Sequence, residues 1–207
     1  RSHNITWWEN TAGDASAWSE HIVDGDFDAR SVYSADLDGD GDMDVLSASI
    51  QTYDITWWEN TLGDGSVWTE HAVDKKFRGA RSVYSADVDG DGDLDLVFGN
   101  TTQPNMVYRN DDGTLTTGPV WFSATAVGSY SVAWGDYDND GDLDLATGAW
   151  WDSVRLFLND GFGLPTDPDS SSLPFPAPSN VIEKIVFGDI DRNGVFPASE
   201  SFPANGD

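Results

Sequence analysis

Three stretches of this chain set five aspartates into nine positions: DLDGDGDMD at 36–44, DVDGDGDLD at 87–95 and DYDNDGDLD at 136–144. Like charges packed so closely repel, and a bare loop of this kind costs stability. A divalent cation turns the repulsion into coordination. Side chains at positions 1, 3, 5 and 9 offer carboxylate oxygens, position 7 offers its backbone carbonyl, and glycine at position 6 permits the sharp turn. In the first loop these are Asp36, Asp38, Asp40 and Asp44, with the carbonyl of Asp42 and the turn at Gly41. In the second they are Asp87, Asp89, Asp91 and Asp95, with the carbonyl of Asp93. In the third they are Asp136, Asp138, Asp140 and Asp144, with the carbonyl of Asp142. Hard oxygen ligands in a flexible loop favour Ca²⁺ over Mg²⁺, and the lack of Cys and scarcity of His argue against zinc.

A fourth, altered loop begins at Asp189, DIDRNGVFP. Asp191, Asn193 and the carbonyl of Val195 keep the pattern, but position 9 is Pro197. Glu200 stands at position 12, where a helix-flanked EF-hand loop carries its bidentate glutamate. Three outcomes remain open there: binding in the EF-hand manner, weak binding, or decay. The first three loops are not EF-hands, since their twelfth positions hold Ser47, Phe98 and Thr147.

These loops must be held by elements that recur. They begin at 36, 87, 136 and 189, a spacing of 51, 49 and 53 residues, which signals a repeat architecture. The flanks repeat as well: NITWWENTAGDASAWSEHIVD at 4–24 against DITWWENTLGDGSVWTEHAVD at 54–74, and ARSVYSADLDGDGDMDVL at 29–46 against ARSVYSADVDGDGDLDLV at 80–97. One unit reads as four short strands, at 82–88, 95–98, 55–59 and 68–73 or their equivalents, divided by Gly-, Asp- and Asn-rich turns. About 50 residues in four antiparallel strands is the size of one β-propeller blade. Stacked blades cover both faces of each sheet, which would give both members of Trp7–Trp8 and of Trp57–Trp58 a place to pack.

The fold class is therefore all-β, a single repeat domain over 1–207. Its units are 1–28 (outer strands only), 29–79, 80–128, 129–163 and 180–207 (an inner strand and the last loop). Residues 164–179, LPTDPDSSSLPFPAPS, carry five prolines and read as an irregular loop. The outer strands at 5–9 and 18–23 and the inner strand at 184–190 could complete one composite blade. That would happen either within one ring or between molecules by self-association.

Composition sets limits on function. Ten basic residues face 37 acidic ones, giving a net charge of −27, so a nucleic-acid backbone is excluded as a partner. An anionic membrane surface is disfavoured likewise, and no apolar run is long enough to span a bilayer. Ten tryptophans and 39% hydrophobic residues mark an ordered chain despite the charge. With no cysteine to form disulfides, an extracellular fold needs another staple, and calcium is plentiful there. The segment is read as secreted.

With its acidic loops, adjoining apolar strands and this period, the chain resembles the FG-GAP/VCBS repeat family, whose members include calcium-binding blades of integrin α-chains and many bacterial secreted proteins. DGDLDLVFGN at 91–100 and DGDLDLATGA at 140–149 carry the resemblance most clearly. It implies a Ca²⁺-stabilised propeller in which the ion braces the turn between a blade's first two strands, with three sites and a fourth open.

For function, the leading expectation is a non-catalytic extracellular module for adhesion, for binding a protein or glycan, or for self-assembly. The alternative is an accessory or catalytic propeller of a secreted carbohydrate-active enzyme. Glu20–His21 recurs as Glu70–His71 and Arg30 as Arg81, and residues repeated once per unit read as blade-corner pairs rather than a catalytic constellation. Nucleophile elbow, phosphate loop and zinc motif are all missing. Trp150–Trp151 fall outside the repeat of Trp57 and could stack on sugars or pack between blades. Asn4 and Asn100 match the N-glycosylation pattern.

Overall fold

The computed structural model describes residues 4–49, 51–124, 128–149, 154–161 and 163–165, with 184, 185 and 187. The strands are β1 (Ile5–Glu9), β2 (Ser19–Asp24), β3 (Ser31–Ala35), β4 (Asp44–Ala48), β5 (Ile55–Glu59), β6 (Thr69–Asp74), β7 (Ala80–Ala86) and β8 (Asp95–Asn100). They continue with β9 (Met106–Tyr108), β10 (Asn110–Asp111), β11 (Thr114–Leu115), β12 (Trp121–Phe122), β13 (Ser129–Gly135), β14 (Asp144–Ala149) and β15 (Arg155–Phe157). All pairings are antiparallel. Two four-stranded sheets run β3-β4-β5-β6 and β7-β8-β9-β12, and a three-stranded sheet runs β13-β14-β15. The two-stranded β1-β2 repeats the β5-β6 hairpin with the same register, Trp7 opposite His21 and Trp57 opposite His71. Among the described residues no helix is long and apolar enough to cross a membrane.

Each interface between sheets has its own core. Ile5, Phe27, Val45 and Trp58 join β1-β2 to the first full sheet. Leu46, Ile55, Trp57, Phe77, Leu96, Phe98 and Tyr108 join the first full sheet to the second. Val97, Val107, Val132, Trp134, Leu145 and Phe157 join the second to the third. Successive residues of one strand thus enter different cores: Val45 and Leu46 on β4, Trp57 and Trp58 on β5, Leu96 and Val97 on β8. This explains why the second strands are apolar at consecutive positions, as expected of strands buried on both faces. Trp58 is 2% exposed, whereas Trp8, its equivalent in β1, is 54% exposed because the described chain packs nothing across that face.

The structure moves several expected boundaries. The inner strand of the second repeat ends at Ala86 rather than 88, because Asp87 folds back to accept the N–H groups of Gly90 and Gly92 at 2.8 and 3.1 Å. The outer strand of that repeat shrinks to β12, and a small β10-β11 hairpin follows β9 directly. Of the expected inner strand at 184–190, only Lys184, Ile185 and Phe187 are described, without strand assignment. Ile185 N–H donates to Ser131 Oγ at 2.9 Å, as Val132 N–H donates to Ser82 Oγ at 3.3 Å one repeat earlier. Residues 166–179 of the proline-rich loop lie outside the described residues, as do Trp150 and Trp151.

Candidate metal centres

Each acidic loop joins the first two strands of a sheet, and its shape is fixed by aspartate side chains accepting the loop's own N–H groups. Asp36 takes Gly39 and Gly41 at 2.9 and 3.1 Å, and Asp136 takes Asp140 and Gly141, both at 3.1 Å. Asp40, Asp91 and Asp140 each take the N–H two residues on at 3.0 Å. The sixth-position glycines Gly41, Gly92 and Gly141 have φ of 97°, 102° and 98°, where a side chain would be strained. At the fourth position, Asn139 in the third loop adopts φ of 62° where the other loops have glycine, a substitution asparagine tolerates better than most residues.

This folding gathers carboxylate oxygens. Those of Asp36, Asp38 and Asp40 lie within 4.8 Å of one another, as do those of Asp87, Asp89 and Asp95, and those of Asp136, Asp138 and Asp144. Oxygens sharing one Ca²⁺ at about 2.3–2.6 Å stand at most about 5 Å apart, so the donor sets fit a hard cation of that size. Asp91 and Asp140, at the fifth positions, flank their clusters without belonging to them.

The seventh-position side chains lie beside the turn that follows the third strand. Asp93 Oδ2 accepts the N–H of Asp112 at 2.8 Å. Asp42 and Asp142 lie against Gly63 and Gly161, where an added Cβ would stand 2.8 and 3.0 Å from a carboxylate oxygen. Asp42 Oδ1 is buried with no hydrogen-bond partner among the described residues, and the backbone carbonyl is the group that the loop pattern assigns to position 7.

The ninth-position aspartates do something the sequence pattern does not reveal. Asp44 is buried at 1% exposure. Its Oδ2 accepts the N–H of Leu37 and its Oδ1 that of Asn60, both at 2.9 Å. Asp95 joins Val88 and Asn110 at 3.1 and 2.8 Å, and Asp144 joins Tyr137 and Asn159 at 2.6 and 2.8 Å. Each thus ties the loop to the end of the sheet's third strand. Burial pushes all three carboxyls up to about 6 despite these hydrogen bonds, with neighbouring aspartates adding to the shift. Burial is also the first cause of the upward shifts of Asp38, Asp89 and Asp138.

The asparagine after each third strand completes the frame. Asn110 Nδ2 donates to the carbonyls of Leu37 at 2.7 Å and Leu94 at 3.3 Å, bridging two successive acidic loops. Asn159 does the same toward Val88 and Leu143. Its recurrence as Asn10, Asn60, Asn110 and Asn159 was the available signal. Asp189, Asp191, Asn193, Val195 and Glu200 of the fourth loop lie outside the described residues.

Two further expectations need correction. His21 and His71 do not pair with the adjacent Glu20 and Glu70. Across the hairpin, His21 Nε2 meets Glu9 at 3.1 Å and His71 Nε2 meets Glu59 at 2.8 Å, and each ring stacks on the opposed Trp7 or Trp57 at 4.3 or 4.4 Å. Neighbours along a strand point to opposite faces, so the partner had to come from the facing strand. Asn100 is fully buried, and its Oδ1 accepts the N–H groups of Thr102 and Gln103, which closes it to glycan attachment in this fold.

Antiparallel sheets stacked face to face through separate apolar cores, each with an acidic turn between its first two strands, define a β-propeller-type repeat protein. A family model described as FG-GAP-like repeat matches residues 1–47, 36–98 and 87–147, together well over half of the chain. The chain belongs to the FG-GAP-like repeat family. No curated protein matches it.

Proposed function

We propose that this is a secreted, non-catalytic calcium-binding module whose stacked blades present surfaces for adhesion to a protein or glycan. The observation that carries the reading is the threefold gathering of carboxylate oxygens between a blade's first two strands. Bound there, Ca²⁺ would supply the positive charge that offsets the aspartates. Asp36, Asp38 and Asp40, Asp87, Asp89 and Asp95, and Asp136, Asp138 and Asp144 would hold it. The seventh-position carbonyls of Asp42, Asp93 and Asp142 would complete each set. The chain's own contribution is positioning, through the Asp–Asn ties that fix each loop on its sheet.

Two observations support a non-catalytic role and self-association. The Glu–His pairs sit at equivalent places in two repeats and are stacked against tryptophan, as architectural residues are. The β1 edge, paired only with β2 among the described residues, leaves room for a strand like β4, which pairs with β5 in the next repeat. Unpaired edges recruit strands, so a second copy can complete this sheet.

The test is a glycan and protein-ligand binding screen with a parallel glycoside hydrolysis assay, both in Ca²⁺ and in EDTA. Saturable binding in Ca²⁺ that EDTA abolishes, without turnover, is the expected result. Calcium-supported hydrolysis would overturn the non-catalytic reading, and binding indifferent to EDTA would overturn the role given to the ion.

A further inference from the structure

Where the inner strands β3, β7 and β13 converge, they border one cavity of about 620 Å³. Its described lining includes Arg30, Arg81 and Lys184 and no aspartate or glutamate. In a chain with 37 acidic and ten basic residues, that is a marked segregation of charge. Arg30 and Arg81 occupy the same place in their repeats, each preceding Ser-Val-Tyr-Ser-Ala. Three residues further on, the equivalent Tyr33 and Tyr84 touch with ring centroids 4.7 Å apart. Both arginines therefore border one cavity, Arg30 just before β3 and Arg81 on β7, and like charges facing one cavity repel.

The fold gives neither arginine a carboxylate among the described residues. Arg81 lies 4.4 Å over the Tyr130 ring, and Arg30 enters no ion pair among the described residues. Trp134 lines the same cavity, 7% exposed, and its indole N–H has no acceptor among the described residues. Ser82 and Ser131 already accept N–H groups through Oγ, so their hydroxyl protons remain to be donated. The groups left over around this cavity are donors and cations, and what they lack is an acceptor bearing negative charge.

We propose that this cavity binds a small molecule bearing an oxyanion, a carboxylate or a phosphate, gripped by Arg30 and Arg81. Guanidinium groups bind such oxygens bidentately, and partial enclosure strengthens the attraction. The tyrosine rings of the lining offer an apolar body contact beside the charged grip. Because the net charge of −27 repels anions in general, an anion held here is held by local geometry and not by the global field. This site is independent of the calcium loops.

The experiment is calorimetric titration of the full chain in Ca²⁺ with glucuronate, inorganic phosphate and, as the neutral control, glucose. Saturable binding of glucuronate or phosphate is expected, with no heat from glucose. Whichever anion binds more tightly identifies the carboxylate or the phosphate source. The double variant Arg30→Gln/Arg81→Gln should lose at least tenfold in affinity, while Arg78→Gln, whose arginine lies over Tyr53 outside this cavity, should not. In the unsubstituted protein, bound anion should protect Arg30 and Arg81 from phenylglyoxal, read by peptide mass spectrometry. Failure of both anions to bind would overturn the proposal. So would wild-type affinity in a folded double variant, or labelling that the anion leaves unchanged.

Discussion

Asp95 accepts the backbone N–H of Asn110 at 2.8 Å across fifteen residues of chain, while its other oxygen accepts Val88 N–H at 3.1 Å. One buried carboxylate therefore fastens the acidic loop to the far end of its own sheet, and the same tie recurs at Asp44–Asn60 and Asp144–Asn159. The ninth aspartate of each loop has a structural duty that exists with or without an ion.

That duty separates two substitutions within one loop. Asp95→Ala orphans two N–H groups, each worth about 1–3 kcal/mol, and should destabilise the protein by roughly 2–6 kcal/mol even in EDTA. Asp89→Ala removes an exposed side chain and should cost under about 1 kcal/mol in EDTA, but lose stability in Ca²⁺. Denaturant melts of both variants in both buffers check this. Equal losses in EDTA would contradict it.

Stability of the metal-free protein should depend on pH in an unusual direction. Burial raises the carboxyls of Asp44, Asp95 and Asp144 to about 6 in the folded state, against an unperturbed 3.8. Between these values the folded chain binds more protons than the unfolded one, so stability falls as pH rises through the window. The penalty is complete above about pH 6 and relieved on acidification toward pH 4. In EDTA, melts should therefore strengthen from pH 7 to pH 5. In Ca²⁺ the trend should reverse, since protons compete with the ion for the same oxygens.

The duplicated ITWWE segments offer an internal comparison. Trp58 packs with Ile5, Phe27 and Val45, and its replacement by alanine should cost about 3–5 kcal/mol. Trp8→Ala should cost under about 1 kcal/mol in a dilute monomer, its side chain being 54% exposed. A large loss for Trp8→Ala that grows with protein concentration would instead reveal that another copy covers this face.

Much of the fold could be read from residues alone, because the repeat supplied its own alignment. Both members of Trp57–Trp58 are buried in different cores, as adjacent residues on a strand sandwiched between sheets must be. The spacing of the acidic loops likewise located the turns between first and second strands. What escaped was whatever depends on contacts between non-adjacent segments. The Glu9–His21 and Glu59–His71 pairs are set by hairpin register, which a reading along the chain replaced with the adjacent glutamates. The second duty of Asp44, Asp95 and Asp144 needed the position of the third strand. The placing of Arg30 and Arg81 on one cavity needed the packing of successive sheets, so their recurrence looked like mere repetition.

Calcium stoichiometry by native mass spectrometry, with affinities from calorimetry, tests the central claim most directly. The protein should bind at least three Ca²⁺, and Asp36→Ala, Asp87→Ala and Asp136→Ala should each remove one tight site while leaving the others filled. A chain that binds no calcium, or one whose count survives all three substitutions, would contradict the assignment of the acidic loops as metal centres.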